Sequence, residues 1–276
     1  MVLRLPATLL TGAGAVLSAL IARELGGQRR AQVLSAGAFA VSPIVVAFGH
    51  LLITPTLDVF FWTLISWLLV RWVRLRDDRL PLWLGVAAAV ALQDKYLVGV
   101  LLLALVGAVA AAGPRELLTR PALWTAAAIA VLVTVPSLVW QARHGWPQAA
   151  MTDVITAEDD ALFGGRVAFL PLALILSGFP LVLLMCAGLW RLLRMEALRG
   201  YRFLGWAALG TTAFFLVTDG RAYYVAGLFP TLWAAGAVSL QHRPAARAAS
   251  GLQPPAGCLV LRRTAGRLRR RPVRRR

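Results

Sequence analysis

The chain has 276 residues, of which 59% are hydrophobic and 15% charged, with a formal net charge of +17. A soluble domain is close to half apolar and about a quarter charged, so water is not the main solvent of this one. The net charge suggests nucleic acid when taken alone, but 11 of the 29 basic residues lie in the tail from Arg243 onward and the others punctuate apolar runs, the distribution of membrane topology signals rather than of a phosphate-binding groove.

Nine apolar segments are predicted as helical spans: residues 5–24, 32–52, 57–73, 82–93, 97–112, 122–140, 168–190, 203–218 and 222–240. Most are long enough to cross a hydrocarbon core of about 30 Å at 1.5 Å per residue. The fold class is therefore all-α, a polytopic transmembrane helix bundle over residues 1–242, followed by an arginine-rich tail over 243–276. That tail has no apolar periodicity and is expected to be disordered. The segment 82–93 is short, but Arg79 and Arg115 belong on the same side. The stretch between them therefore crosses twice, with Asp94-Lys95-Tyr96 as its polar turn; the alternative is a single buried helix. Residues 141–167 are expected to form a long solvated loop carrying Glu158, Asp159 and Asp160.

Short loops rich in arginine stay in the cytoplasm. Placing the tail there puts 24 of the 29 basic residues on the cytoplasmic side and leaves Arg4, Lys95, Arg143, Arg166 and Arg221 outside. Seven of the twelve acids fall on the outer side, and the expected location is the cell membrane. Met1 would also fall outside, with no preceding span to carry it, so a missing upstream segment is expected. Two cysteines, Cys186 within an apolar run and Cys258 in the tail, do not make a disulfide framework. No zinc spacing, phosphate loop or nucleophile elbow occurs, and neither metal nor cofactor is expected.

Ionisable groups beside membrane spans are functional candidates, because burying one without a partner costs several kcal/mol. On the outer side these are Asp58 after Thr54-Pro55-Thr56-Leu57, Asp94, Lys95 and Tyr96 at a turn, His144 and Trp146 in the long loop, and Asp219 and Arg221 with Tyr223 and Tyr224 before the last span. Carboxylates take protons and hold sugar hydroxyls, Lys and Arg stabilise charge on a leaving phosphate, and aromatic rings stack on sugar faces. Plainer readings stand beside these. Asp58 could cap a helix beginning there, Lys95 and Arg221 could snorkel to the interface, and the aromatics could form an interfacial belt.

The order of motifs carries a resemblance. Arg4-Leu5-Pro6-Ala7, Ala22-Arg23-Glu24-Leu25-Gly26-Gly27, Ser42-Pro43, Thr56-Leu57-Asp58-Val59-Phe60-Phe61-Trp62-Thr63, Asp94-Lys95-Tyr96, Trp140-Gln141-Ala142-Arg143-His144-Gly145-Trp146-Pro147 and Arg221-Ala222-Tyr223-Tyr224, followed by Leu228-Phe229-Pro230, together resemble bacterial dolichyl-phosphate-mannose-protein mannosyltransferase-like proteins. These stand with the aminoarabinose transferases in the GT-C superfamily, and the likeness covers about residues 4–240.

The resemblance implies a GT-C-like glycosyltransferase moving a hexose-like sugar from a polyprenyl-phosphate donor to a protein, glycan or lipid acceptor on the extracytoplasmic face, amid membrane lipids and without nucleic acid. It places Asp58 at an acidic position near the donor pocket, Lys95 in the Lys-Tyr motif, and Arg221, Tyr223 and Tyr224 in the basic-aromatic motif. Family members usually begin with another helix and an outer loop bearing the catalytic acid, and this chain starts after that point, which leaves its activity in isolation open. A transporter or flippase would place charges at the bilayer midplane on broken helices, and a non-catalytic membrane scaffold is the other alternative.

Overall fold

The computed structural model describes residues 4–241, with the side chains of 152, 153, 156 and 159–163 left aside; the expected disordered tail lies outside the described residues. The described chain forms α1 (Leu5–Glu24), α2 (Arg29–Val41), α3 (Pro43–Phe48), α4 (Thr54–Leu75), α5 (Arg79–Asp94), α6 (Val98–Ala112), α7 (Glu116–Thr119), α8 (Pro121–Arg143), α9 (Pro147–Phe163), α10 (Gly165–Ser177), α11 (Phe179–Arg194), α12 (Arg202–Val217) and α13 (Phe229–Gln241). Two 3-10 segments, Glu196–Tyr201 and Ala222–Leu228, precede α12 and α13. There is no strand among the described residues.

Proline sets many of the starts. It occupies the first turn of α1, α3, α4, α8, α9 and α11, where its missing N–H would have had no intrahelical acceptor. All nine apolar segments fall mainly on helices, two of them with breaks described below, and the two halves of the hairpin around Lys95 are separate helices, as expected. Among the described residues, four stretches are long and apolar enough to span a bilayer unaided: α1, α4, α8 and the continuous run Ala222–Gln241.

Three expectations are corrected. Residues 168–190 are not one straight span, because α10 and α11 meet at a bend of 102°. Gly178 adopts φ +98° there, a conformation glycine takes without a Cβ penalty, and Pro180 starts the next helix. Residues 32–52 break likewise at Ser42-Pro43. The two breaks meet, since the Ser42 hydroxyl donates to the Leu176 carbonyl at 3.1 Å and a Cβ on Gly178 would lie 3.0 Å from Pro43 Cδ. The spans are thus less continuous than their uniform apolarity suggests. Finally, the supposed solvated loop contains α9, a 17-residue helix opened by Pro147 and closed by Gly164 in the left-handed region.

The core runs along α4 and α13. Trp62, Ile65, Val70 and Trp72 of α4 and Trp233, Ala234, Ala235, Ala237 and Val238 of α13 are buried. The backbones of α11 and α13 come closest at two glycines. A Cβ on Gly188 would lie 1.9 Å from the Leu232 carbonyl oxygen, and one on Gly236 would lie 2.0 Å from that of Leu184. In lipid, helices associate by packing rather than by hydrophobic transfer, and small residues permit that approach.

Charge divides the bundle into two ends. At one end Glu24 binds Arg71 and Arg74 at 2.9 and 2.8 Å, Glu116 pairs with Arg76, Asp78 with Arg120, and the Gln28 N–H donates to Gln241. These contacts gather the arginine-bearing segments that the charge pattern placed on one side. Lys95, Arg166 and Arg221 find their acids at the other end.

Candidate functional site

Three elements build the site at the arginine-poor end. Asp58 lies in the second turn of α4, which begins four residues earlier at Thr54; it is not the cap of that helix. Lys95 stands where α5 ends in an extended residue before α6. The 3-10 segment Ala222–Leu228 carries Tyr223 and Tyr224.

These meet around the Lys95 ammonium. Nζ lies 3.4 Å from Asp58 Oδ2, with both side chains mostly buried (17% and 14% exposed). It also sits over the rings of Tyr224 and Tyr223, 4.2 and 5.0 Å from their centroids. A cation in this cage is held by a carboxylate and by the negative faces of two rings, so Lys95 does not snorkel to water. The tyrosines pack edge to face at 4.9 Å, and Phe215 packs on Tyr224 at 5.4 Å. Asp94 is close enough to interact with both Asp58 and Lys95, and its buried Oδ2 has no hydrogen-bond partner.

Successive residues of a 3-10 helix point about 120° apart, and the two tyrosines accordingly serve different cavities. Tyr224 lines one of about 480 Å³ with Lys95, Tyr96, Gln141, Trp146 and Asp219. Tyr223 lines another of about 410 Å³ with Arg221 and the apolar residues Phe48, Pro55, Leu172, Ile175 and Leu176. Tyr96 is fixed on the first wall by a 2.6 Å hydrogen bond between its hydroxyl and that of Ser137.

Helix α9 contributes Gln148, Ala149, Met151 and Ile155 to the larger cavity. It and α10 are tied to the turn between α12 and the 3-10 segment by two ion pairs, Glu158 with Arg221 and Arg166 with Asp219. Burial alone would lower the pKa of the Arg221 guanidinium, but hydrogen bonds to Tyr223 and Glu158 outweigh it and hold the pKa above its ordinary value. Arg221 therefore remains a cation next to the apolar cavity.

Of the residues singled out in the sequence, the structure brings Asp58, Lys95, Tyr223 and Tyr224 into contact. Tyr96 and Trp146 lie on the wall of the larger cavity, and Arg221 on that of the smaller. It does not bring His144 there. That exposed ring stacks on Trp140 at 4.3 Å, and its Nδ1 lies 2.8 Å from the Trp140 carbonyl. The sequence placed Asp94 at the hairpin tip beside Lys95 and gave it no separate role, and it read Glu158 as one acid in a solvated acidic run, which offered no signal of its contact with Arg221.

Among the described residues no three His, Cys, Asp or Glu side chains gather into a possible metal site. The family model for dolichyl-phosphate-mannose-protein mannosyltransferase matches residues 1–140. No curated protein and no solved structure matches the chain. The matched stretch contains Asp58, Lys95 and Tyr96, whereas Trp146, Arg221, Tyr223 and Tyr224 lie beyond it.

Proposed function

Because the chain belongs to the dolichyl-phosphate-mannose-protein mannosyltransferase family, a family of membrane glycosyltransferases, we propose that it moves a hexose-like sugar from a polyprenyl-phosphate donor to an acceptor hydroxyl at the end of the bundle that carries Lys95. The arginine-rich end then faces the cytoplasm, by the bias of short loops, and the reaction takes place on the opposite face of the cell membrane.

The observation that carries this reading is the Lys95 cage between two cavities. One cavity has apolar walls beside a lasting cation, Arg221, which suits a lipid-linked phosphate. The other offers Tyr96, Trp146, Gln141 and Tyr224, which suit a sugar or its acceptor. In the transfer, the acceptor oxygen forms a bond to the anomeric carbon while the bond from that carbon to the phosphate oxygen breaks. The acceptor proton passes to a carboxylate, Asp58 or Asp94, and the polyprenyl phosphate leaves with its charge stabilised by Lys95 and Arg221. Asp58 holds Lys95 in position until the phosphate competes for it.

The test uses the full chain in vesicles supplied with a labelled polyprenyl-phosphate hexose and a hydroxyl acceptor. Label should move to the acceptor, and Lys95→Ala should reduce transfer by at least about 100-fold, the size found for removing one donor to a developing oxyanion. Wild-type turnover in Lys95→Ala, or reporter fusions placing Lys95 on the same side as the C-terminal arginines, would overturn the reading.

A further inference from the structure

The acids at the arginine-rich end are all committed. Glu24 holds Arg71 and Arg74, Glu116 holds Arg76, Asp78 holds Arg120, and Glu196 holds Arg199 and Arg202 at 3.3 and 3.1 Å. Asp77 accepts the backbone N–H of Arg79 at 3.0 Å. Of the described arginines left without a carboxylate at this end, all but one are exposed. The exception is Arg191, 5% exposed in the last turn of α11, whose Nε is buried without a hydrogen-bond partner among the described residues.

Among the described residues of this end no carboxylate side chain is left to offer it. No Asp or Glu follows Asp219, and the acids of α9 belong to the Lys95 end. A buried guanidinium without a counter-ion is costly, and the partial charge of a helix C-terminus offsets only a small part of that cost. An anion from outside the chain would satisfy it.

The surroundings indicate where that anion comes from. Trp190, adjacent in the chain, is 65% exposed, and Arg194, one turn on, lies over its ring at 5.4 Å from the centroid. An exposed tryptophan under an arginine on the last turn of an apolar helix belongs at headgroup depth, where the surrounding anions are lipid phosphates. Residues i and i+3 share a helix face, so Arg191 and Arg194 can grip one phosphate from two sides. We propose that Arg191, assisted by Arg194, binds the phosphate of an anionic lipid headgroup at the arginine-rich end of the bundle, a site separate from the Lys95 cage and independent of the transferase reading.

The test follows thermal unfolding of the purified full chain during titration with short-chain phosphatidylglycerol, phosphatidylcholine of the same chain length, or inorganic phosphate. Phosphatidylglycerol should stabilise the wild type saturably, at concentrations where the other two do not. Arg191→Gln should raise the midpoint about tenfold, the loss expected for a hydrogen-bonded charge, and Arg191→Lys should fall between. Arg191→Leu, in phosphatidylcholine alone, should melt no lower than wild type, because it removes an unpaired buried charge. Equal phosphatidylglycerol midpoints for wild type and Arg191→Gln would overturn the site, as would an equal response to inorganic phosphate. Should Arg191→Gln not accumulate, a wild-type midpoint in Arg191→Lys overturns it. A lower melting temperature of Arg191→Leu in phosphatidylcholine would show that the arginine serves the fold instead, and would overturn it too.

Discussion

The two ends of the bundle use charge in opposite ways. The arginine-rich end has many cations, most of them exposed and several sharing an acid, so that losing one leaves the others in place. Arg199 and Glu196, for example, are 75% and 73% exposed, and such pairs contribute about 0–1 kcal/mol. At the Lys95 end the central pair is largely buried, Lys95, Asp219 and Arg221 line cavities, and Glu158 and Arg166 hold helices α9 and α10 in place. The first end orients the chain by number; the second acts by placement, because the same Coulomb attraction is several times stronger where water is excluded.

That contrast can be broken most severely by disturbing what holds the ends in register. A side chain at Gly236 would collide with the Leu184 backbone, which has no rotamer to yield, so Gly236→Val should cost about 3 kcal/mol or more and yield aggregated protein on size-exclusion chromatography. Next comes the buried pair. Lys95→Ala leaves Asp58 uncompensated and should destabilise by about 3 kcal/mol, whereas adding Asp58→Asn should recover part of that loss. Thermal melts of the two single variants and the double variant measure the coupling, and additive losses would show that the contact carries no stability.

A smaller effect is expected at the latch. Glu158→Gln removes the carboxylate from the Arg221 guanidinium without removing the cation, and should change the donor KM by about two- to fivefold with kcat little altered, the range of a partly exposed ion pair. Smallest of all, Arg199→Gln at the redundant end should shift stability by less than about 0.5 kcal/mol. His144→Ala, which removes a ring from outside both cavities, should leave transfer within about twofold of wild type. A large loss in either would erase the distinction between the ends.

Much of this contrast could be read before any coordinates. The runs at 5–24, 57–73 and 122–140 declare themselves by length and apolarity, and the arginines sort the loops into two sets. Asp58, Lys95, Tyr223 and Tyr224 were each recognisable as polar or aromatic residues at span ends. Their meeting was not, because it depends on how the end of α5 and the segment before α13 lie against α4. The helix α9 was hidden for another reason. Its mixture of alanine and acids has no apolar stripe, so it reads as a loop until Pro147 and Gly164 are taken as its boundaries. The 102° turn at Gly178 was hidden by the uniform apolarity on both sides of it.

What the sequence determined by itself is the helical character of the spans and the segregation of their ends. In hydrocarbon each segment must satisfy its own backbone hydrogen bonds, and cationic loops respond to the membrane locally, so both properties follow from residues close together in the chain. Only the tertiary structure decided that Lys95 lies in a cage between two cavities and that Arg191 is left without an acid among the described residues. Those outcomes depend on which helix faces touch, and touching is set by close contacts such as Gly188 and Gly236 against α13 and α11, between residues far apart in sequence.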